Sequence, residues 1–168
     1  NQLINDHNLI YEKSFKFERD IHDVKVFDDC IDASGIKDDP SAWFTMNEVF
    51  ISEVYKKMNV SKNDIVLDVG GHFGYFSLYA LDKGAKKVHV LEPSEENFKH
   101  LCRNTGKFEK IVPYNLALSD SVDQKQFIIT GPSATNSFHR NYNHESENPV
   151  SLGITKKESV NCIDFETF

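Results

Sequence analysis

Two acidic residues and a glycine-rich turn are the part of this sequence best suited to chemistry. Asp68 lies in the apolar run 64–69, and the turn Gly70-Gly71-His72-Phe73-Gly74 follows it directly. Glu92 ends a second apolar run further along the chain. Glycines allow a tight turn and a close approach of the backbone to a ligand, and strand ends in α/β sheets hold ligands. The pattern therefore predicts a site for an adenosine-containing cofactor.

The spacing of the glycines and the position of the acids narrow the type of cofactor. Gly70 and Gly74 form G-x-x-x-G, which differs from the G-x-G-x-x-G of dinucleotide sites. Asp68 would repel a pyrophosphate and suits an amino group or a sulfonium. Glu92 can accept hydrogen bonds from both ribose hydroxyls and would oppose a 2′-phosphate. Taken singly, Gly70 is equally an ordinary turn residue and Glu92 an ordinary acid before a helix.

A third strand end supplies candidates for the base of the cofactor. Asn115, Leu116 and Ala117 follow the apolar run that begins near residue 110. Their backbone groups and apolar side chains suit an adenine ring. We therefore expect Asp68, Glu92 and Asn115 to line one rim, in the crevice where the strand order reverses.

Alternating strands and helices must position these residues. Strands are predicted at 64–69, 87–92 and 110–116, the first too apolar to be half-exposed. One helix should run from Gly74 to about Lys83, and a second should begin after Ser94 and end at Gly106. A βαβαβ order implies right-handed crossovers and a parallel sheet. The predicted fold class is α/β.

Further helices and strands are predicted on both sides of this unit. Asp39-Pro40 is typical of a helix start, and apolar spacing extends the predicted helix to residue 58, with Trp43 and its aromatic neighbours packing on the sheet. Residues 1–38 are predicted to be an N-terminal extension with a strand pair, and 39–168 the main domain. Further strands are predicted at 125–130 and 159–163.

The polar segment 131–157 has the length of a functional or mobile loop. His139, His144 and Glu145 could form part of a metal site, but a solvated loop is the favoured interpretation, and no metal is predicted. His139 and Arg140 could instead face an acceptor substrate.

Composition limits the possible classes of protein. The chain has 168 residues, 39% hydrophobic and 12% aromatic, which suits one globular domain with a core. Its net charge of −7 disfavours nucleic acid as a partner. Cys30, Cys102 and Cys162 are far apart and lack metal-site spacing, so we expect reduced thiols in a cytoplasmic protein. Neither a membrane span nor a signal peptide is expected.

Four stretches together resemble the FkbM family of class I S-adenosylmethionine-dependent methyltransferases. They are residues 68–77, 91–98, 115–120 and 160–165. The resemblance implies a Rossmann-like sheet that binds S-adenosylmethionine. It also implies cofactor-binding roles for the matched positions: Asp68, Gly70, Gly71, His72, Phe73 and Gly74 at the methionine part, Glu92 at the ribose, Asn115 and Leu116 at the adenine, and Pro93 as a further cofactor-binding residue.

The sequence departs from the family pattern at two places. The position of His72 usually carries a small polar residue, often Asn; His72 either donates to the cofactor carboxylate or is an exposed loop residue. The chain also stops at Phe168, before the family's fourth core strand and its acidic motif. We expect a sheet truncated after the third core strand, which indicates either a fragment of a longer protein or a reduced relative. The fragment is favoured, because strand one would otherwise have an exposed edge.

The predicted activity is methyl transfer from S-adenosylmethionine, as O-methylation of a small molecule or sugar. Such a reaction depends on the alignment of donor and acceptor, with a general base needed only for a hydroxyl acceptor. The sequence identifies no catalytic base and no oligomeric state. Two alternatives stay open: a cofactor-binding or interaction module without catalysis, and an NAD-dependent enzyme, which the loop spacing disfavours.

Overall fold

The computed structural model describes residues 39–131, 133–138 and 154–168. Within these ranges the chain forms three α-helices, six β-strands and one 3₁₀ turn. The predictions for 1–38, for Cys30, and for His139, Arg140, His144 and Glu145 lie outside the described residues. The division of the chain at residue 39 therefore stays a prediction.

The first helix, α1 (Pro40–Phe50), begins as predicted. The Asp39 carboxylate accepts from the Ser41 backbone N–H at 2.8 Å, and Pro40 occupies the first turn. The predicted end at residue 58 is wrong. Glu53 has a left-handed backbone, with φ of 46°, and the Val54 N–H reaches back to the Glu48 carbonyl at 3.1 Å. This geometry closes the helix early.

Helix α1 packs through its apolar face on the segment 73–79. Ala42, Met46 and Val49 are buried against aromatic side chains from the stretch 73–79, with Trp43 partly buried beside them. Phe44 is 60% exposed, so not every aromatic side chain of this helix packs on the sheet as expected.

A parallel sheet of three strands forms the centre of the described domain, which confirms the predicted βαβαβ unit. The order β1-β2-β3 joins β1 (Ile65–Val69), β2 (Lys87–Leu91) and β3 (Ile111–Tyr114). Helix α2 (Tyr75–Asp82) connects the first two strands and α3 (Glu95–Thr105) the last two. Buried side chains from both helices, β2 and β3 meet in one core, which includes Leu78, Val88, Val90, Leu101 and Ile111, and the partly buried Val66 of β1 packs against it.

Local signals set the ends of these helices as expected. Helix α2 is followed by Gly84 at φ of 102°, a conformation that few other residues adopt. The Ser94 hydroxyl caps α3, Glu95 and Glu96 lie in its first turn, and Gly106 ends it.

Strand β1 lies at the edge of this sheet, and within the described residues it pairs with β2 alone. The exposed edge is therefore confirmed for this part of the chain. The expectation that β1 is buried throughout is wrong, since Ile65 is 68% and Val69 52% exposed. The described strands run in the order 1-2-3, so the predicted reversal of strand order does not occur among them.

A second sheet lies beyond β3 and has the order β4-β6-β5. Strand β4 (Ala117–Ser119) runs parallel to β6 (Ile154–Asp164), and β5 (Gln124–Thr130) runs antiparallel to it. The predicted third strand, 110–116, is thus too long. The chain leaves the first sheet after Tyr114 and enters the second at Ala117. The two predicted later strands are confirmed, with β6 longer than expected.

Candidate functional site

The loop between β1 and α2 folds back over the end of β2. The backbone N–H groups of Gly70 and Gly71 both donate to the Leu91 carbonyl, at 2.9 and 3.0 Å. Gly70 and Gly74 have φ of 79° and 84°, in the left-handed region that favours glycine. These two glycines therefore allow the turn that the sequence predicted.

Gly71 is required for a different reason, which is space. A Cβ atom at this position would lie 2.1 Å from Val90 Cγ2 and 3.0 Å from Leu101 Cδ1. Any larger residue would push the loop away from β2 and α3. The glycine run thus lets the loop pack closely on the core.

Glu92 joins this loop to the start of α3. Its carboxylate accepts from the His72 backbone N–H at 2.8 Å and from the Ser94 backbone N–H at 2.9 Å. The side chain is 4% exposed, and this burial raises the pKa of Glu92 to about 7. Glu92 therefore has a second partner besides the helix start, and its carboxyl group titrates near neutral pH.

Asp68 lies behind the same loop. Its carboxylate accepts from the Ser77 hydroxyl at 2.6 Å, and burial raises the pKa of Asp68 to about 6. The charge of Asp68 also contributes to the raised pKa of Glu92, so the two carboxyl groups interact. Asp68 is not among the residues that line the adjacent cavity, whereas Glu92 is. The two acids therefore do not share one hollow.

The cavity has a volume of about 340 Å³, which is within the range of small-molecule sites. Most of its wall comes from four segments: the β1 loop, the end of β2, the junction of β3 and β4, and the connector after β5, here defined as residues 133–138. Helix α3 and strand β5 contribute one residue each. Of the predicted cofactor residues, the lining includes Gly70, His72, Glu92, Pro93 and Leu116. The others, Asp68, Gly71, Phe73, Gly74 and Asn115, do not line it.

Phe73 is part of the core rather than the cavity wall. Its ring stacks between the rings of His72 and His100, with both centroid distances 4.4 Å. Its carbonyl accepts from Asn104 Nδ2 at 2.8 Å. Phe73 thereby holds the loop against α3.

Asn115 is exposed and supports the backbone beside the cavity. Its Nδ2 donates to the carbonyl of Glu92 at 2.8 Å and to that of Pro93 at 3.1 Å. The predicted contact between Asn115 and adenine stays a prediction, and the structure gives this side chain a positioning role.

His72 is 7% exposed, so the interpretation of this residue as an exposed loop residue is wrong. Its Nε2 lies 2.6 Å from Ser133 Oγ in the connector, and burial lowers the pKa of His72 to about 4. The imidazole is therefore neutral at physiological pH. Nδ1 is buried and has no hydrogen-bond partner among the described residues. The backbone of His72 has φ of 51°, a strained conformation for a residue other than glycine.

The connector forms part of the cavity wall, and the sequence did not predict which of its residues do so. Its backbone is held by the start of α1: the Ser133 N–H donates to the Asp39 carboxylate at 3.1 Å, and the Ala134 N–H donates to Ser41 Oγ at 3.2 Å. The length and polarity of 131–157 marked a functional segment, but no pattern in the sequence indicated that it contacts Asp39. Asn97, buried on α3, also lines the cavity and was not predicted.

The residues that the structure describes contain no group of three or more His, Cys, Asp or Glu side chains that could hold a metal ion. None of their helices combines the length and the hydropathy needed to cross a membrane.

Comparisons with known proteins give partial likenesses. No family model matches the chain. Over 88 residues it is 28% identical to the AMB antimetabolite synthetase AmbE of Pseudomonas aeruginosa, a match that covers 50% of this chain and 4% of AmbE. The chain thus spans a small fraction of that relative.

Solved structures of methyltransferases are similar over less than half of the chain. One is a protein of Listeria monocytogenes assigned as an S-adenosylmethionine-dependent methyltransferase, with 28% identity, a TM-score of 0.39, and coverage of 44% of this chain and 35% of that one. Another is PH1948 of Pyrococcus horikoshii, assigned as an RNA methyltransferase, with 23% identity, a TM-score of 0.34, and coverage of 44% and 43%.

Proposed function

We propose that this chain binds S-adenosylmethionine and belongs to a methyltransferase of the FkbM type. The observation that carries the proposal is the position of Glu92, a buried acid on the wall of a cavity of about 340 Å³ that also holds the glycine loop in place. The Glu92 carboxylate accepts from two backbone N–H groups and also hydrogen-bonds to the Asn97 side chain, which leaves acceptor capacity for a ribose hydroxyl.

The charges near the cavity support a cationic nucleoside over a dinucleotide. Asp68 and Glu92 both carry negative charge above neutral pH, and they lie close enough to raise the pKa of Glu92. A pyrophosphate would meet repulsion here, whereas a sulfonium would be attracted. This supports S-adenosylmethionine over the NAD alternative.

His72 is the proposed partner of the amino-acid part of the cofactor. If the Ser133 hydroxyl donates to Nε2, the ring proton of the neutral imidazole lies on Nδ1. Nδ1–H would then donate to the cofactor carboxylate, and this contact would satisfy the buried nitrogen. The left-handed backbone that places this imidazole is consistent with a functional role.

The proposed reaction is O-methylation of a small molecule or sugar. The net charge of −7 disfavours a nucleic acid acceptor. In this reaction the acceptor oxygen forms a bond to the methyl carbon while the carbon–sulfur bond breaks, leaving a neutral thioether. This chain's cavity would align the donor, and the acceptor's proton passes to a base that we do not assign.

Calorimetry with S-adenosylhomocysteine and with NAD tests the proposal. We expect 1:1 binding of S-adenosylhomocysteine and none of NAD. Binding of NAD alone would refute the proposal. Transfer of labelled methyl groups to a panel of sugars and hydroxylated small molecules tests the second step. Binding with no transfer to any acceptor would favour the alternative of a cofactor-binding module.

A further inference from the structure

Asn136, in the connector, lines the cavity, and hydrogen bonds fix the orientation of its amide group. Its Oδ1 accepts from the Thr130 backbone N–H at 2.9 Å and lies 3.3 Å from the Thr130 hydroxyl. A backbone N–H can only donate, so the amide oxygen must face Thr130. The Nδ2 group therefore points to the other side and cannot exchange places with the oxygen without losing this bond.

Nδ2 of Asn136 is buried and has no hydrogen-bond partner within the described ranges. A buried donor without an acceptor is destabilising, and such groups in native structures call for an explanation. A ligand in the cavity that offers an acceptor atom would satisfy this group.

The surroundings of Asn136 suit a flat ring. Phe127 and Phe138 also line the cavity, and their rings meet edge to face with centroids 5.1 Å apart. Leu116 and Ala117 contribute further apolar surface at the junction of β3 and β4. This part of the wall is therefore mainly apolar, with one amide donor, which is a common arrangement for binding a heterocyclic base.

We propose that Asn136 recognises the adenine of the cofactor, with Nδ2 donating to one ring nitrogen of the purine. This inference rests on the proposed function and adds a residue that determines base specificity. Each unsubstituted ring nitrogen of adenine (N1, N3 and N7) is an acceptor, so each can match an amide donor. Asn115, which the sequence suggested for this contact, has its amide donors on the carbonyls of Glu92 and Pro93.

The test compares S-adenosylhomocysteine with its 1-deaza, 3-deaza and 7-deaza analogues, each of which replaces one ring nitrogen by C–H. By calorimetry, the wild-type chain should bind one of the three about five- to tenfold more weakly than S-adenosylhomocysteine. Asn136→Ala should bind S-adenosylhomocysteine more weakly by a similar factor and should no longer discriminate against that analogue.

Two other variants control the comparison. Asn136→Asp keeps an acceptor for Thr130 and so preserves the local fold, but it replaces the donor by an acceptor and should weaken binding at least as much as Asn136→Ala. Asn161→Ala removes an exposed asparagine on β6 that does not line the cavity, and it should bind like the wild type.

The outcomes separate the two proposals. If the wild type does not bind S-adenosylhomocysteine, the proposed function is wrong. If it binds and Asn136→Asp binds equally well, Asn136 does not contact the base. The inference also fails if the wild type binds all three analogues like S-adenosylhomocysteine, or if Asn136→Ala still discriminates among them.

Discussion

The affinity of this chain for S-adenosylhomocysteine should fall when the pH is lowered from 8 to 6, because Glu92 becomes protonated. Burial raises the pKa of Glu92 to about 7 in the unliganded chain. Only the ionised carboxylate can keep its hydrogen bonds to His72, Ser94 and Asn97 and still accept from the ribose. Protonation removes the ionised form of Glu92 that binds the ribose, so the affinity should fall as the pH is lowered through 7.

The size of the effect follows from the fraction of ionised Glu92. With a pKa of about 7, that fraction is about 0.9 at pH 8 and about 0.1 at pH 6, so the dissociation constant should rise about tenfold. Asp68, with a pKa raised to about 6, becomes half protonated at the acidic end and could add about a factor of two. The pKa of His72 is lowered to about 4, so this residue stays neutral throughout.

Calorimetry in buffers of different ionisation enthalpy provides a direct readout. If binding requires ionised Glu92, it should release close to one proton per ligand at pH 6 and almost none at pH 8. In Glu92→Gln the release at pH 6 should fall to about half a proton or less, which is the share that Asp68 can supply. This variant should also bind more weakly at pH 8, by about 1.5–3 kcal/mol, since a charged acceptor is lost.

A matched control is Glu109→Gln, which changes an exposed acid away from the cavity and should retain the wild-type profile. The reasoning is refuted if the wild type binds equally well at pH 6 and pH 8 without releasing protons. It is also refuted if Glu92→Gln releases as many protons as the wild type.

Two further predictions concern the packing of the site. Gly71→Ala should lower the free energy of unfolding by about 1–3 kcal/mol, because the new Cβ would lie 2.1 Å from Val90 Cγ2. Gly70→Ala has open space around it but φ of 79°, so it should lower the free energy of unfolding by only about 1–2 kcal/mol. Urea unfolding compares the two variants, and a smaller effect at Gly71 than at Gly70 would contradict the packing argument. Asp39→Ala should lower the free energy of unfolding by about 1–2 kcal/mol, because Asp39 caps α1. The variant should also bind S-adenosylhomocysteine more weakly, because Asp39 accepts from the Ser133 N–H in the cavity wall. An unchanged affinity would show that Asp39 acts only as a helix cap.

The elements near the site could be predicted because their signals are local. Asp39-Pro40 and Ser94 are recognisable helix starts, since the capping side chain lies within three residues of the N–H that it binds. The glycine loop was predictable for the same reason. The end of α1 was not predictable, because it depends on the left-handed backbone of Glu53, and no glycine or proline marks this position in the sequence.

The roles of the two acids required the fold. From the sequence, Asp68 and Glu92 were expected to line one rim together. The structure places Asp68 behind the loop with Ser77, and Glu92 on the cavity wall. A strand alternates its side chains between two faces, but which face meets a ligand depends on the loops and helices that cover it.

By itself, the sequence determined the parallel βαβαβ unit, the glycine turn and the presence of an acid at the end of β2, because hydrophobic period and turn chemistry act over a few residues. Only the tertiary structure decided that the connector lines the same cavity as Glu92, that Asp39 and His72 hold Ser133, and that Asn136 Nδ2 has no partner among the residues described. Those contacts join residues far apart in the chain, and the raised pKa of Glu92 comes from burial, which is a property of the folded chain.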